Sequence, residues 1–249
     1  MLISVVTACY NSATTLSGAL DGVLNQKYNE LEHIVIDGDS TDNTRDILEA
    51  RPQGQLRWSS EPDQGIYDAL NKGIALATGD IVGFLHADDV YASTDVLAHV
   101  VRAFEDPAVH AVYGDLQYVS KDNLNNVIRH WRAGEFKPAL LKRGWMPPHP
   151  SLYVRRECYD RIGGFDIKYV IAADYYSILQ LFTQPEFNAV YIPEVFVKMR
   201  VGGASNRSLK NIIQKSLEDY DALRRTGVGG LGTLMFKNAS KLGQFFYRL

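Results

Sequence analysis

The chain has 249 residues, 46% of them hydrophobic and 22% charged, a balance that fits one large globular domain or a domain with an appendage and excludes a disordered chain. Its two cysteines, Cys9 and Cys158, stand far apart with no C-x-x-C partner, which argues against a disulfide framework or a zinc site and fits a reducing compartment. The net charge of -3 hides an asymmetry: from Lys198 onward ten Lys or Arg face three acids, about +7, so the preceding 197 residues carry about -10.

In chain order, "LISVVTACY" is apolar and β-branched and reads as a strand. No basic n-region precedes it, so no signal peptide is expected. "NSATTLSGALDGVLNQ" follows with helical spacing at Leu16, Ala19, Leu20, Val23 and Leu24. "EHIVIDGDS" is a second strand, after which Ser40 or Thr41 is expected to cap a helix through "DNTRDILEA". "LRWSSE" is a third strand and leads into the helix "GIYDALNKGIALAT", with Ile66, Ala69, Leu70, Ile74 and Leu76 inside. The apolar run Ile81 to Leu85 is a fourth strand that ends in "HADD", with the helix "STDVLAHVVRAFE" behind it. Strands alternating with such helices imply right-handed βαβ crossovers and a mostly parallel sheet.

The middle of the chain is less regular. "VHAVYGDLQYVS" and "NNVIRHWRAG" read as strands, and "FKPALLKRGWMPPHPS" as a proline-punctuated loop. "SLYVRRECYDRIGGFD" predicts a strand, a short helix and a stop at Gly163-Gly164. "IAADYYSILQLF" predicts a helix with Asp174 in its first turn. Two more helical patterns follow, "SLKNIIQKSLEDYDALRR" and "TLMFKNASKLGQFFYRL", separated by a glycine-rich hinge. That hinge, residues 227–232, matches G-x-G-x-x-G in form, but it follows a helix and has no acid after it, so it is no dinucleotide fingerprint. No uninterrupted apolar stretch approaches the roughly 20 residues needed to span a bilayer.

Open α/β sheets bind ligands beyond the carboxyl ends of their strands, and the polar clusters fall there: Tyr10-Asn11, Asp37 and Asp39, Glu61 and Asp63, Asp88-Asp89. Adjacent carboxylates repel, and a divalent cation relieves them: Mg²⁺ or Mn²⁺ takes one or two carboxylates plus phosphate oxygens, with His86 as a further ligand. The alternative is a polar turn in which Asp89 caps the following helix. Asp37 and Asp39 fit hydrogen bonds to a base or ribose, and equally fit an Asp- and Ser-rich turn. Asp63 opens a helix, and Lys72 on that helix fits either a phosphate contact or a solvated surface.

Taken together, "ISVVTACYNSATTL", "HIVIDGDSTDNT", "SEPDQGIYDALNKGIALATGDIVGFLHADD", "HPSLYVRRECYDRIGGFD" and "AADYYSILQL" resemble the inverting glycosyltransferases of family 2, which have the GT-A fold, over residues 2–205. The resemblance implies an α/β GT-A domain over 1–205 with a helical extension over 206–249. It implies that Thr7, Tyr10, Asn11, Asp37 and Asp39 line a nucleotide pocket, with Asp63 and Lys72 nearby. It makes Asp88 and Asp89 the end of a metal-binding acidic motif in which His86 stands where the family often has an aspartate. Asp174 matches the catalytic base, with Ala173 where its neighbour is usually glutamate. "MRVGGASN" is similar to the segment that closes over the donor, with Arg200 a phosphate contact, and His149 is similar to an acceptor-side position. Neither Q-x-x-R-W nor a set of membrane spans is present, so one sugar per encounter is expected.

The implied donor is a nucleotide-sugar, UDP being the commoner nucleotide, and the implied acceptor a glycan or polyprenyl-linked hydroxyl in surface polysaccharide assembly. The last two helical patterns, one with Leu209, Ile212, Ile213, Leu217, Tyr220 and Leu223 on one side, the other with Met235, Ala239, Leu242, Phe246 and Leu249, fit an anionic membrane surface or packing on the body or a partner. The protein is then expected in the cytoplasm, at the inner face of the membrane. Nucleic acid is not expected, because the acidic body repels a duplex. A sugar-phosphate nucleotidyltransferase would need a glycine-rich loop after the first strand, and no glycine occurs there before Gly18. A binding module without catalysis would need no base at Asp174.

Overall fold

The computed structural model describes residues 1–201 and 209–243, with side chains for all of these except 209 and 240–243. Its first half follows the alternation of the sequence. Strands β1 (Ile3–Cys9), β2 (Leu31–Asp37), β3 (Arg57–Ser60) and β4 (Ile81–Phe84) alternate with helices α1 (Leu16–Leu24), α2 (Thr44–Glu49) and α3 (Ile66–Leu76). They pair in parallel in the order β3-β2-β1-β4. Side chains alternate across β1: Val6 and Ala8 join the layer of α3, while Ile3 and Val5 join that of α1. Helix α3 lies close on β1 because residue 73 is glycine; a Cβ there would come within 2.2 Å of Val6 Cγ1.

The second half of the sheet is more mixed. Strand β5 (Asp89–Tyr91) precedes helix α4 (Val96–Phe104), and β6 (Ala111–Val119) and β7 (Val127–Trp131) form a hairpin. Helix α5 (Pro138–Leu141) and a 3-10 turn (His149–Ser151) break up the expected proline-rich loop and lead into β8 (Leu152–Arg155). Helices α6 (Arg156–Ile162) and α7 (Ala173–Phe182) follow, and Gly163 ends α6 with φ 77°. Strand β9 (Ala189–Arg200) then runs parallel to β6 and antiparallel to β5. The full order is β3-β2-β1-β4-β8-β6-β9-β5, with β7 on β6. The parallel expectation holds for β1–β4 and for β6–β9; β5, β7 and β8 join antiparallel.

Several local expectations are corrected. Helix α2 starts at Thr44 after Asn43 rather than at Ser40 or Thr41, because the Ser40 hydroxyl is bonded to Asp37. Asp89 caps no helix: it lies inside β5, and α4 begins only after Asp95. The glycine run is a turn, with Gly227 at φ 69°, between α8 (Leu209–Arg225) and α9 (Leu231–Gly243).

Ala222, Leu223, Val228 and Leu234 from this C-terminal pair pack into the core beside α7. Of the apolar side of α8, Leu223 is buried, while Ile212, Ile213, Leu217 and Tyr220 are exposed. Lys237 of α9 is buried. Leu242, Phe246 and Leu249, and the 202–206 part of "MRVGGASN", lie outside what is described. No helix among the described residues is long and apolar enough to cross a membrane.

Candidate active site

The carboxyl ends of β1, β2 and β3 meet in a row. Cys9, Asp37 and Ser60 are register neighbours across the three strands. The Asp37 carboxylate accepts the Ser40 amide (3.1 Å), the Ser60 hydroxyl (2.6 Å), the Ser40 hydroxyl and the Cys9 thiol. Burial alone would raise its pKa, but these donors hold it below the usual carboxylate range. Its bonds are all internal, so Asp37 shapes the loop beyond β2 and offers that loop no free oxygen. Thr7 is likewise turned inward, its hydroxyl 2.9 Å from His33 Nε2, and burial draws His33 down to about 3.

The surface of this end is made by neighbours. Asn11, with φ 49°, accepts the Thr41 amide at 2.8 Å and ties the two loops together; Tyr10 beside it is 61% exposed. Asp39, with φ 65°, pairs with Arg45. Asp63 accepts the Gly65 amide at 2.8 Å and packs so closely on Gly38 that a Cβ there would meet it at 2.4 Å. Lys72 is turned to Glu61 (2.9 Å) and Asp68 (3.8 Å).

The β4 end carries the second group. After Phe84 the chain turns through His86, Ala87 and Asp88 and re-enters the sheet at Asp89, opposite Met199 of β9. The Arg200 guanidinium donates to the Asp88 carbonyl at 2.5 Å and fastens this turn to β9. Asp89 is fully buried, and neither carboxylate oxygen has a hydrogen-bond partner of good geometry. Burial and neighbouring Asp88 push its pKa well up, against the pull of Arg200. His86 is half-buried with Nδ1 unpartnered; burial lowers its pKa while Asp88 and Asp174 work against that.

Among the described residues no three His, Cys, Asp or Glu side chains converge as a ready-made metal cage. A buried carboxylate without a well-formed hydrogen bond, beside a second one, nevertheless fits a cation that completes its shell with phosphate oxygens.

Asp174 lies in the first turn of α7, and the Tyr67 hydroxyl of α3 donates to its Oδ1 at 3.1 Å. Burial would raise its pKa; His149 when charged, Lys215 and Lys237 oppose this and leave it lowered. His149 is itself drawn down to about 4 by burial, so near neutral pH Lys215, Lys237 and the Tyr175 backbone N–H are what favour the ionised form of Asp174. The His149 ring stacks on Phe84 at 5.0 Å and stands 6.0 Å from the His86 ring, with Nε2 unpartnered. His86, Asp88, Asp89, Arg200, His149 and Asp174 are thus one cluster, and Tyr10, Asn11, Asp39 and Asp63 form a polar rim at the neighbouring strand ends.

Sequence reasoning missed Tyr67, which lies on the inward face of its helix and meets Asp174 across 107 positions of chain. It also missed Tyr118 of β6, which flanks Met199 opposite Asp89, shares its sheet face, and carries the Arg129 guanidinium 4.4 Å above its ring. An aromatic followed eleven residues later by arginine is no signal on its own; hairpin pairing makes it one.

Comparison with known proteins identifies the family and the fold. The family model "Glycosyl transferase family 2" matches residues 4–162. A PGL/p-HBAD biosynthesis glycosyltransferase of Mycobacterium bovis is 32% identical over 210 residues, 82% of this chain and 79% of that protein. TarS 1-349 of S. aureus, solved with UDP, superposes with a TM-score of 0.66 at 16% identity, over 90% of this chain and 65% of that one. This chain therefore spans just under two thirds of the TarS fragment. The mannosyltransferase PcManGT of Pyrobaculum calidifontis, solved with GDP-Man and Mn²⁺, gives 0.66 at 23% identity, over 96% of this chain and 68% of that one.

Proposed function

The chain belongs to glycosyltransferase family 2, and on that premise we propose that it moves one sugar per encounter, with inversion, from a UDP-sugar to a hydroxyl of a glycan or lipid-linked acceptor in surface polysaccharide assembly. One cluster carries this reading: the Asp88-Asp89 turn beyond β4, fastened to β9 by Arg200, stands beside His86 and His149, with Asp174 in the first turn of α7 bonded by Tyr67.

In this reading Asp174 takes the proton from the acceptor hydroxyl as its oxygen attacks the anomeric carbon from the face opposite the nucleotide. The anomeric C–O bond breaks and the electron pair leaves on the diphosphate. Asp89, Asp88 and His86 are the residues that would hold Mn²⁺ or Mg²⁺, which when bound supplies positive charge for the diphosphate. Arg200 is placed to add a fixed cation, and Tyr10, Asn11, Asp39 and Asp63 form the rim that would receive the nucleoside. Thr7 and Asp37 support that rim from below, and His149 stands on the acceptor side. Lys72 reaches phosphate only by leaving Glu61 and Asp68. TarS and PcManGT, whose structures hold UDP and GDP-Man, support a nucleotide-sugar donor.

We read residues 1–205 as the part that carries this chemistry and 206–249 as an extension, of which Ala222, Leu223, Val228 and Leu234 pack on the body. The exposed Ile213, Leu217, Met235 and Phe236 in this basic segment are read as a contact with an anionic membrane that bears the acceptor, placing the enzyme at the cytoplasmic face. Two experiments test the reading. Titration of the protein with UDP and with GDP, each with Mn²⁺ and with EDTA, should give tight binding of UDP only with metal; no binding of either refutes the donor assignment. Anionic vesicles should retain the protein and release it at high salt, and no retention refutes the membrane contact.

A further inference from the structure

The polar residues of the C-terminal helices that turn inward converge on the start of α7. From α8, Glu218 Oε2 accepts the backbone N–H groups of Ile171 (2.8 Å) and Ala172 (2.9 Å), and Oε1 accepts that of Val170 (3.1 Å). These amides lie immediately ahead of the turn that carries Asp174. The Ile171 carbonyl in turn accepts the Tyr67 hydroxyl at 2.7 Å, the same hydroxyl that reaches Asp174 Oδ1. One residue thus joins Glu218 to the hydroxyl on the base.

The next residue of α8, Asp219, pairs with Lys237 of α9 at 2.7 Å, with 1% and 2% of their side chains exposed. The Lys237 ammonium lies 3.0 Å from the centroid of the Tyr175 ring, one residue beyond Asp174. Its stem fills the space beside Gly144, where a Cβ would come within 2.3 Å of the lysine Cβ. Burying two charges is costly, and an apolar pair of the same size would often hold two helices together as well. What an ion pair adds is a defined geometry at one place.

We propose that Glu218 and the Asp219–Lys237 pair are positioning residues that fix the first turn of α7 and so aim Asp174 at the acceptor hydroxyl. The proposal rests on Asp174 being the base, as read above. The groups that face Asp174 are Tyr67 on α3, His86 after β4, Tyr118 on β6, His149 before β8, Lys215 on α8 and Lys237 on α9, while Glu218 of α8 faces Tyr67. Lys215, Lys237 and Glu218 come from the extension. A displacement of about 1 Å at such a base costs on the order of 10²-fold in rate.

The test uses the full chain with Glu218→Ala, Glu218→Gln and the double variant Asp219→Asn/Lys237→Met, which removes both buried charges and leaves neither unpaired. Nucleotide affinity is measured by titration with UDP and GDP in Mn²⁺, turnover by release of UDP from UDP-GlcNAc and of GDP from GDP-Man, and local order by hydrogen exchange over 170–176. The expected result is nucleotide affinity within about twofold of wild type, and kcat lower by about tenfold or more with KM for the donor unchanged. Turnover should return in part in Glu218→Gln, which keeps an acceptor oxygen, and exchange at 170–176 should be faster in Glu218→Ala. Wild-type kcat in both Glu218→Ala and the double variant, beside an inactive Asp174→Asn, overturns the positioning role and leaves the base standing. Unchanged exchange at 170–176 overturns it on either donor, as does a joint fall of kcat and nucleotide affinity. Wild-type turnover in Asp174→Asn removes the base and the positioning role together.

Discussion

Asp174→Asn removes the proposed base and leaves its surroundings in place. Tyr67 donates to Oδ1 at 3.1 Å, and the amide oxygen accepts the same bond. Losing a negative charge in the first turn of α7 costs about 0.3–1 kcal/mol of helix-dipole energy, while relief of a half-buried charge works in the opposite direction. The net change is less than about 1 kcal/mol, a melting shift of about 2–4 °C or less for a chain of this size. A general base contributes about 10²–10⁴-fold, equivalent to about 2.7–5.5 kcal/mol of barrier. The second effect is several times the first, so a folded, nucleotide-binding but inactive variant is expected. Release of UDP from the donor, titration with UDP and a melting curve on one preparation separate the three quantities. The lowered pKa of Asp174 sets the pH behaviour. Its base form is filled throughout neutral pH, so wild-type turnover should not fall through Asp174 between pH 8 and about 5, well above the ordinary Asp value of about 3.9. Because the folded pKa is depressed, its contribution to stability is present above the unfolded value and disappears as pH falls through the folded one. Near wild-type turnover in Asp174→Asn, or an acidic limb near neutrality that this variant abolishes, would refute the assignment.

Asp89→Ala should erase the difference between UDP affinity in Mn²⁺ and in EDTA, a loss of at least about tenfold, or 1.4 kcal/mol, in the metal condition; an undiminished metal effect removes Asp89 from the site. Gly73→Ala should lower stability in urea by about 1–3 kcal/mol through overpacking against Val6, and an unchanged midpoint would show that α3 is free to move off β1. Lys237→Met alone should lower stability by about 1–3 kcal/mol, because it leaves buried Asp219 with only Lys215 at 3.7 Å as a cationic partner. The double variant with Asp219→Asn should be the more stable of the two, and the reverse order would mean that the pair is not buried as described.

The βαβ half was legible because each strand is a short apolar run and each helix repeats at 3.6 residues. Asp174 in the first turn of α7 was legible for the same reason: an acid just inside a helix start leaves a mark in sequence. The β9 strand was not, since "AVYIPEVFVKMR" contains Pro193 and alternates poorly, and only its neighbours β6 and β5 make it a strand. The turn at Asp88 was read as the end of one strand, although the chain begins another at once, because the partner of that second strand lies more than a hundred residues on. Asp37 shows a limit of another kind. Its place at a strand end was evident, but the inward aim of its carboxylate depends on Ser40, Ser60 and Cys9 arriving together.

Helix α8 inverts the usual rule, and the reason lies in partners rather than in periodicity. An amphipathic pattern states that a helix has two faces; burial of the apolar one follows only where nothing on the polar face has a better use inside. Here Glu218 meets three amides ahead of α7, Asp219 meets Lys237, and the Tyr169 hydroxyl donates to Asp221 at 2.6 Å. These contacts hold the acidic side of α8 against the body, and Leu217, 65% exposed, is left on the other side with Ile213. The same rotation that exposes apolar surface therefore brings Glu218 to the start of α7. A surface that covers Leu217 and Ile213 would press α8 toward the base, whereas turning the stripe inward would take Glu218 away from Ile171 and Ala172. One helix, α8, thus carries the exposed apolar pair on one side and, through Glu218, the contacts to the start of α7 on the other.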